Sequence, residues 1–333
     1  MPRSYLRESG ARGDSGCADP GLVVVGGQSS TVGGDWGTMA TMDVGVTPIN
    51  SATYLDPTYL TDFCQQIEGL GYESVWTFEH VIIPDDYQSK YPYSPTGKLA
   101  IPADAGFTDP LIALTYVASC TERLRLGTGI NVFTQTNALY LAKQASSLDH
   151  LSGGRFMLGV GVGWLEEEFH ALGVPFERRG ARADEYIDAL RACWSGEEVQ
   201  HRGEFLDWQG FRMLPTPAQQ PSLPLFIGGT TDAAIRRLVA KGDGWYVIHK
   251  DLEQFREHIA RLHAECDRQG RDPAELELTA YWNYHREGLE GLQVYRDHGV
   301  SRVLVNTAAL RMGRPTEAVE QFATEGLAAA REA

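Results

Sequence analysis

Four short stretches of the chain carry residue types able to bind or transform a small molecule. In "SVWTFEHV" (74–81) a carboxyl, Glu79, precedes an imidazole, His80, at the end of an apolar run. A histidine in that place can exchange a proton with a bound ring, or can be a buried residue satisfied by a neighbour. "RLGTGINVF" (125–133) brings Gly129, Ile130 and Asn131 to the end of a second apolar run, and "RFMLGVGV" (155–162) does the same with Gly161 and Val162, followed by Gly163. Alternating glycines there either open the main chain to a ligand or mark a strand that needs small residues for packing at a barrel corner. Their spacing is not the GxGxxG of a nicotinamide site. In "LFIGGTTDAAIRRLVAKG" (225–242) the residues Gly228, Gly229 and Thr230 lead straight into a helix. The freed N–H groups and the helix dipole at such a junction suit a phosphate. The same residues also describe a tight turn with an N-cap at Thr230 or Thr231.

Other polar groups have plainer readings. Glu166, Glu167 and Glu168 fall in the first turn of a helix, where carboxylates favour the dipole and are expected to face water. Arg178, Arg179 and Arg182 could hold an acidic ligand or join a surface Arg–Glu network. The aromatics of "YWNYH" (281–285) could wall an apolar pocket or pack in the core.

These stretches need a scaffold that gathers them. From Asp43 onward, eight β-rich runs alternate with segments of helical period. They are the three already quoted, together with "DVGVTP" (43–48), "LFIGG" (225–229), "GWYVI" (244–248), "LELTAYW" (276–282) and "RVLVN" (302–306). "LTDFCQQIEGLGY" (60–72) and "DLEQFREHIARLHAECDRQG" (251–270) show the three-and-four spacing of buried helical faces, each closed by a glycine. Eight strands with eight helices predict a (β/α)₈ TIM barrel with an insertion after strand four; a doubly wound open sheet is the other architecture with this pattern. In a barrel the C-terminal strand ends carry the active site, and all four stretches lie there. A Pro- and Tyr-rich loop (82–108) and the segment 174–224, with its own helix and hairpin, are candidate lids.

Composition narrows the function classes. The 333-residue chain has a formal charge of -15, which argues against nucleic-acid and anionic-membrane surfaces, both of which call for concentrated Lys and Arg. Five scattered cysteines show no zinc-like spacing and leave one unpaired, which points to a reducing, cytoplasmic setting. Residues 1–41, rich in Gly, Ser, Arg and Asp, are expected to form a disordered extension, a candidate artefact of start-site choice, ahead of a single barrel domain at 42–333.

Taken together, "LGTGINVF", "AKQASSLDHLSGGRFMLGVGVGWLEEEFHALGVPFERRGARADEYIDALRACW" and "LFIGGTTDAAIRRLVAKGDGWYV" resemble the bacterial luciferase-like family, and within it the coenzyme F420-dependent oxidoreductases. The resemblance runs in order from about Asp43 to the last strand and takes in "VWTFEHV". It implies a barrel, often dimeric, holding a deazaflavin or flavin across the strand C-termini. The glycines near Gly161 and Gly163 would then admit the cofactor, a cis non-proline peptide would fall at Gly129–Ile130, and phosphate would sit at Gly228, Gly229 and Thr230. His80 falls where relatives place a polar residue beside the redox centre, and Glu79 replaces an aspartate seen in some. Trp164 stands where sugar-phosphate dehydrogenases of the family carry a glutamate, so neither that proton-transfer role nor that substrate carries over.

The leading expectation is hydride transfer between C5 of coenzyme F420 and a small organic substrate, with His80 as the proton-transfer residue and a separate enzyme recycling the cofactor. An FMN-dependent monooxygenase is the close alternative. A flavin-binding protein without turnover, and a phosphate-substrate lyase or isomerase, are the readings from other classes. The lyase or isomerase would need a lysine or paired carboxylates at the strand ends, and Glu79 is the one carboxyl found there.

Overall fold

The computed structural model describes residues 41–99, 101–102, 104–310 and 314–332. The stretch 1–41 set apart above lies outside them, Thr41 excepted. Eight parallel strands close into a barrel: β1 (Asp43–Val46), β2 (Ser74–Thr77), β3 (Arg125–Thr128), β4 (Phe156–Val160), β7 (Leu225–Gly228), β8 (Gly244–Val247), β9 (Glu277–Tyr281) and β10 (Val300–Val305). β10 pairs with β1, so the sheet has no edge, and the open doubly wound alternative is excluded. Each strand is fully or nearly fully buried, as parallel strands covered on both faces must be.

Local chemistry sets the surrounding helices. In α1 (Pro57–Leu70) Asp56 caps the amide of Tyr59 at 2.8 Å, Pro57 opens the first turn, and Gly71 ends the helix in the left-handed region at φ 89°. Leu60, Phe63, Cys64 and Ile67 form its buried stripe. Around the barrel follow α2 (Pro110–Cys120), α3 (Ala138–Leu151), α4 (Glu166–Ala171), α5 (Arg179–Trp194), α6 (Asp232–Lys241), α7 (Leu252–Gln269) and α8 (Tyr284–Asp297). The insertion after β4 holds α4, α5 and an antiparallel hairpin of β5 (Val199–Arg202) and β6 (Asp207–Phe211), whose turn is tied to α5 by Glu185 accepting from the amides of Glu204, Phe205 and Leu206.

The lumen is filled, not open. Trp76, Met157, Phe226, Tyr246 and Leu304 interlock there, Trp76 meeting Phe226 edge-on with ring centres 5.9 Å apart. At the N-terminal end of the strands Arg302, 1% exposed, pairs with Glu73 at 2.6 Å and with Glu277. The barrel is thus plugged by charge below and by aromatic rings above.

Candidate functional site at the C-terminal face

Asn50, fully buried after β1, sets the exit of β2. Its amide nitrogen donates to the carbonyls of Phe78 and Thr108, both at 2.9 Å, and its oxygen accepts from the Phe78 amide at 3.2 Å. The strand ends at Thr77, so Glu79 and His80 sit on the loop just above it instead of in the strand.

His80 Nδ1 lies 2.9 Å from Glu168 Oε2, and the two side chains are 7% and 1% exposed. The other oxygen of Glu168 accepts from the amides of Val81 at 2.5 Å and Ile82 at 3.2 Å. Beside it, Glu167 accepts from the amides of Gln88 at 2.6 Å and Ser89 at 3.2 Å. Burial pushes the Glu167 carboxyl up, but these donors and the Ser89 side chain together outweigh it and bring the carboxyl down to about 2. The expectation that this acidic turn faces water is corrected for Glu168, which is buried: α4 straps residues 81–89 of the chain to the end of β4.

Glu79 is also buried, and one of its oxygens takes the amide of Val132. Desolvation, with Asp109 and Glu168 adding like charge, lifts its carboxyl to about 8 against that single donor. At neutral pH it mostly keeps its proton.

At the alternating glycines the structure shows the close packing that is one of the two readings of the sequence. A Cβ on Gly159 would lie 2.0 Å from the Thr128 carbonyl, one on Gly161 2.5 Å from Ile130 Cδ1, and one on Gly163 2.7 Å from Val132 Cγ1. Thr128, Ile130 and Val132 alternate along β3 and its exit, so the close approach at β4 is made by the neighbouring segment of the chain. Ile130 also fills the space beside Gly228, whose Cβ would be 2.7 Å from Ile130 Cγ2. The ends of β3, β4 and β7 therefore meet on one side chain. The Gly129–Ile130 peptide is cis, as the resemblance implies. Gly129 packs against Tyr246, and the main chain of Val162 and Gly163 receives Thr134 Oγ1 at 3.0 Å and Arg179 Nε at 3.1 Å.

At β7 the chain turns through Gly229, φ 101°, into α6, and Thr231, rather than Thr230, caps the helix by accepting from the Ala234 amide at 3.2 Å. The amides of Gly229, Thr230 and Thr231 have no acceptor among the described residues. Tyr93 from the loop 82–108 brings its hydroxyl to 3.9 Å from where a Gly229 Cβ would stand. Trp164 touches His80, Tyr87 and Tyr91 edge-on, with ring centres 5.8, 5.6 and 5.1 Å away. In the sequence Trp164 stands out only as a departure from relatives, and nothing in the spacing of Tyr87 and Tyr91 marks them. The arginines after the insertion's first turn are absorbed by the fold: Arg178 pairs with Glu204, and Arg182, 5% exposed, donates to the carbonyls of Thr134 and Pro175.

Two features fit a flavin-like group. Asn131 Oδ1 is a buried acceptor with no partner among the described residues, at the height of the Gly161 amide that pairs with the Asn131 carbonyl at 2.9 Å. A heterocycle bearing ring N–H donors would satisfy it. The unpaired amides ahead of α6 suit a phosphate.

A closed parallel barrel with an acid–base pair and an anion-type helix terminus at its C-terminal face is the layout of a cofactor-using barrel enzyme. The comparisons with known proteins agree. The luciferase-like monooxygenase family model matches residues 36–285, and the chain belongs to that family of oxidoreductases. An uncharacterised protein of Mycobacterium tuberculosis is 31% identical over 267 residues, covering 80% of this chain and 91% of that protein. The FMNH2-dependent dimethylsulfone monooxygenase of Pseudomonas putida is 29% identical over 156 residues, 46% of this chain and 42% of that one. Among solved structures, the coenzyme F420 dependent tetrahydromethanopterin reductase of Methanopyrus kandleri superposes with a TM-score of 0.68 at 15% identity, covering 86% of this chain and 98% of that one.

Proposed function

We propose that the chain is a coenzyme F420-dependent oxidoreductase acting on a small, largely apolar organic substrate. The observation that carries this reading is His80, held by Glu168 at the barrel mouth. When bound, the deazaflavin supplies a two-electron hydride acceptor or donor at C5. Oxidising a hydroxyl-bearing carbon removes a hydride from carbon and a proton from oxygen, and Nε2 of His80 takes that proton; in the reductive direction it returns it. Asn131 Oδ1 and the amides at Gly229 and Thr230 would hold the ring edge and the phosphate, with Gly228 shaping the turn. Gly129, Ile130, Gly161, Val162 and Gly163 would form the platform beneath the ring. Glu79, keeping its proton, adds no charge beside the His80–Glu168 pair. Trp164, Tyr87, Tyr91 and Tyr93 supply an apolar wall, which favours a substrate without anionic groups.

The FMN-dependent monooxygenase reading is favoured by the match to the dimethylsulfone enzyme. Titrating the protein with coenzyme F420 and, separately, with FMN distinguishes the two, because Trp164 at the site makes tryptophan quenching report binding. Tight binding of coenzyme F420 alone is expected; preference for FMN moves the protein to the monooxygenase branch, and binding of neither removes the site assignment.

The remaining parts of the proposal concern the setting. No helix among the described residues is long and apolar enough to cross a membrane, in keeping with a cytoplasmic enzyme served by a separate cofactor-reducing enzyme. A homodimer through α2 and α3 is supported by Ile112, Tyr116 and Tyr140, which are 68%, 41% and 72% exposed on these adjoining helices. Residues 42–333 would act as one domain, with 1–41 outside it.

A further inference from the structure

We propose that Glu168 is a positioning residue that fixes the tautomer of His80, so that Nδ1 carries a permanent proton and Nε2 alone exchanges one. The role of Nε2 in turnover rests on the function proposed above; the tautomer itself does not.

The inference follows from how the two Glu168 oxygens are occupied. Oε1 faces two main-chain donors, the amides of Val81 and Ile82, at 2.5 and 3.2 Å. An amide hydrogen cannot be given up, so Oε1 can only accept. Oε2 faces Nδ1 of His80 at 2.9 Å and no second donor among the described residues. A carboxylate held in this way accepts from Nδ1–H, as acceptor-only groups must. The imidazole then keeps Nδ1 protonated in both of its charge states, and every proton gained or lost is at Nε2. Nε2 has no partner among the described residues and so faces the mouth unengaged. The ring cannot easily turn to exchange its nitrogens, because Trp164 closes on it edge-on at 5.8 Å.

The same geometry makes Glu168→Gln informative. Its single carbonyl oxygen is claimed by the Val81 and Ile82 amides, which leaves the side-chain NH2 pointing at Nδ1. An NH2 group can only donate, so Nδ1 becomes an acceptor and the proton moves to Nε2. The loop stays anchored while the tautomer reverses. A misassigned tautomer with intact geometry is known to disable a histidine base.

The test is nitrogen NMR of the purified, cofactor-free protein labelled at histidine. The chain has nine histidines, and the His80→Asn spectrum identifies the signals of His80 by their loss. In the wild type, the neutral form of His80 is expected with Nδ1 protonated and Nε2 bare; in Glu168→Gln the assignment should reverse, with the melting temperature changed by only a few degrees. Wild-type His80 carrying its proton on Nε2 would overturn the proposal outright, whatever the variant does. An unchanged tautomer in a folded Glu168→Gln protein would reduce Glu168 to a loop anchor. Once a substrate is found, Glu168→Gln should lower turnover at least tenfold with cofactor affinity within twofold. If tautomer reversal occurs and turnover does not change, the proton-transfer role of His80 fails while the positioning of its ring stands.

Discussion

Single side chains at the barrel mouth have separable duties. Replacing His80 with Asn should lower turnover by about a hundredfold or more, the usual contribution of a positioned acid–base group, while cofactor affinity stays within a few fold; equal turnover in steady-state assays removes it from the mechanism. Glu79 predicts a stability signature. Its carboxyl keeps a proton up to about 8 in the fold but only to 4.5 when unperturbed, so the folded chain binds more protons between those values. Stability contributed by this group is therefore full below about pH 4.5 and is lost as pH rises toward 8. Glu79→Gln keeps an oxygen for the Val132 amide and removes the titration. Urea unfolding should show the variant gaining about 2 to 4 kcal/mol on the wild type between pH 5 and pH 8, and parallel curves would refute the buried, protonated carboxyl. At Gly161 a methyl group would press on Ile130 Cδ1 from 2.5 Å. Gly161→Ala should cost about 1 to 3 kcal/mol, with part of the loss recovered by adding Ile130→Val; no recovery would mean that the two positions are not in contact.

Elements determine which of these side chains meet, and they also explain what could be read in advance. Strands and helices were legible because the alternation of β-branched runs with three-and-four periodicity is local information, and Gly71 and Gly270 close α1 and α7 as their spacing suggests. The pairing of His80 with Glu168 spans 88 residues and leaves no periodic trace. One signal was present: Leu165, just ahead of α4, and Phe169 on it are buried, and Glu168 lies on that same inward side instead of the wet one. The glycines at the end of β4 leave two readings open in the sequence, a ligand opening or a packing site, because one strand does not display what its neighbour projects; the partners Thr128, Ile130 and Val132 become evident only once β3 and β4 are in register. At α6, Thr230→Asp tests the anion site. A carboxylate just ahead of the helix should leave melting unchanged or slightly raised, through the dipole, yet weaken binding of FMN or coenzyme F420 at least tenfold by repelling phosphate. Unaltered affinity in a quenching titration would take the phosphate away from this terminus.

For the whole molecule, eight strand–helix units were enough to anticipate a barrel, but closure came from the pairing of β1 with β10, a contact between chain segments about 260 residues apart that periodicity does not reveal. Surface properties are open to the same kind of test. Tyr140→Glu, placed in the exposed apolar face of α2 and α3, should convert a two-chain species in sedimentation velocity to one chain; a wild type that already sediments as one chain would end the dimer proposal. The interlock around Ile130 also has a consequence for descent. One side chain just beyond β3 occupies the room left by a glycine just beyond β4 and another at the end of β7, so these three positions cannot drift independently. Among relatives, a residue larger than glycine at the place of Gly161 or Gly228 should be accompanied by a smaller one at the place of Ile130. In an alignment, these positions should appear as a covarying triplet joining three strands far apart in the chain.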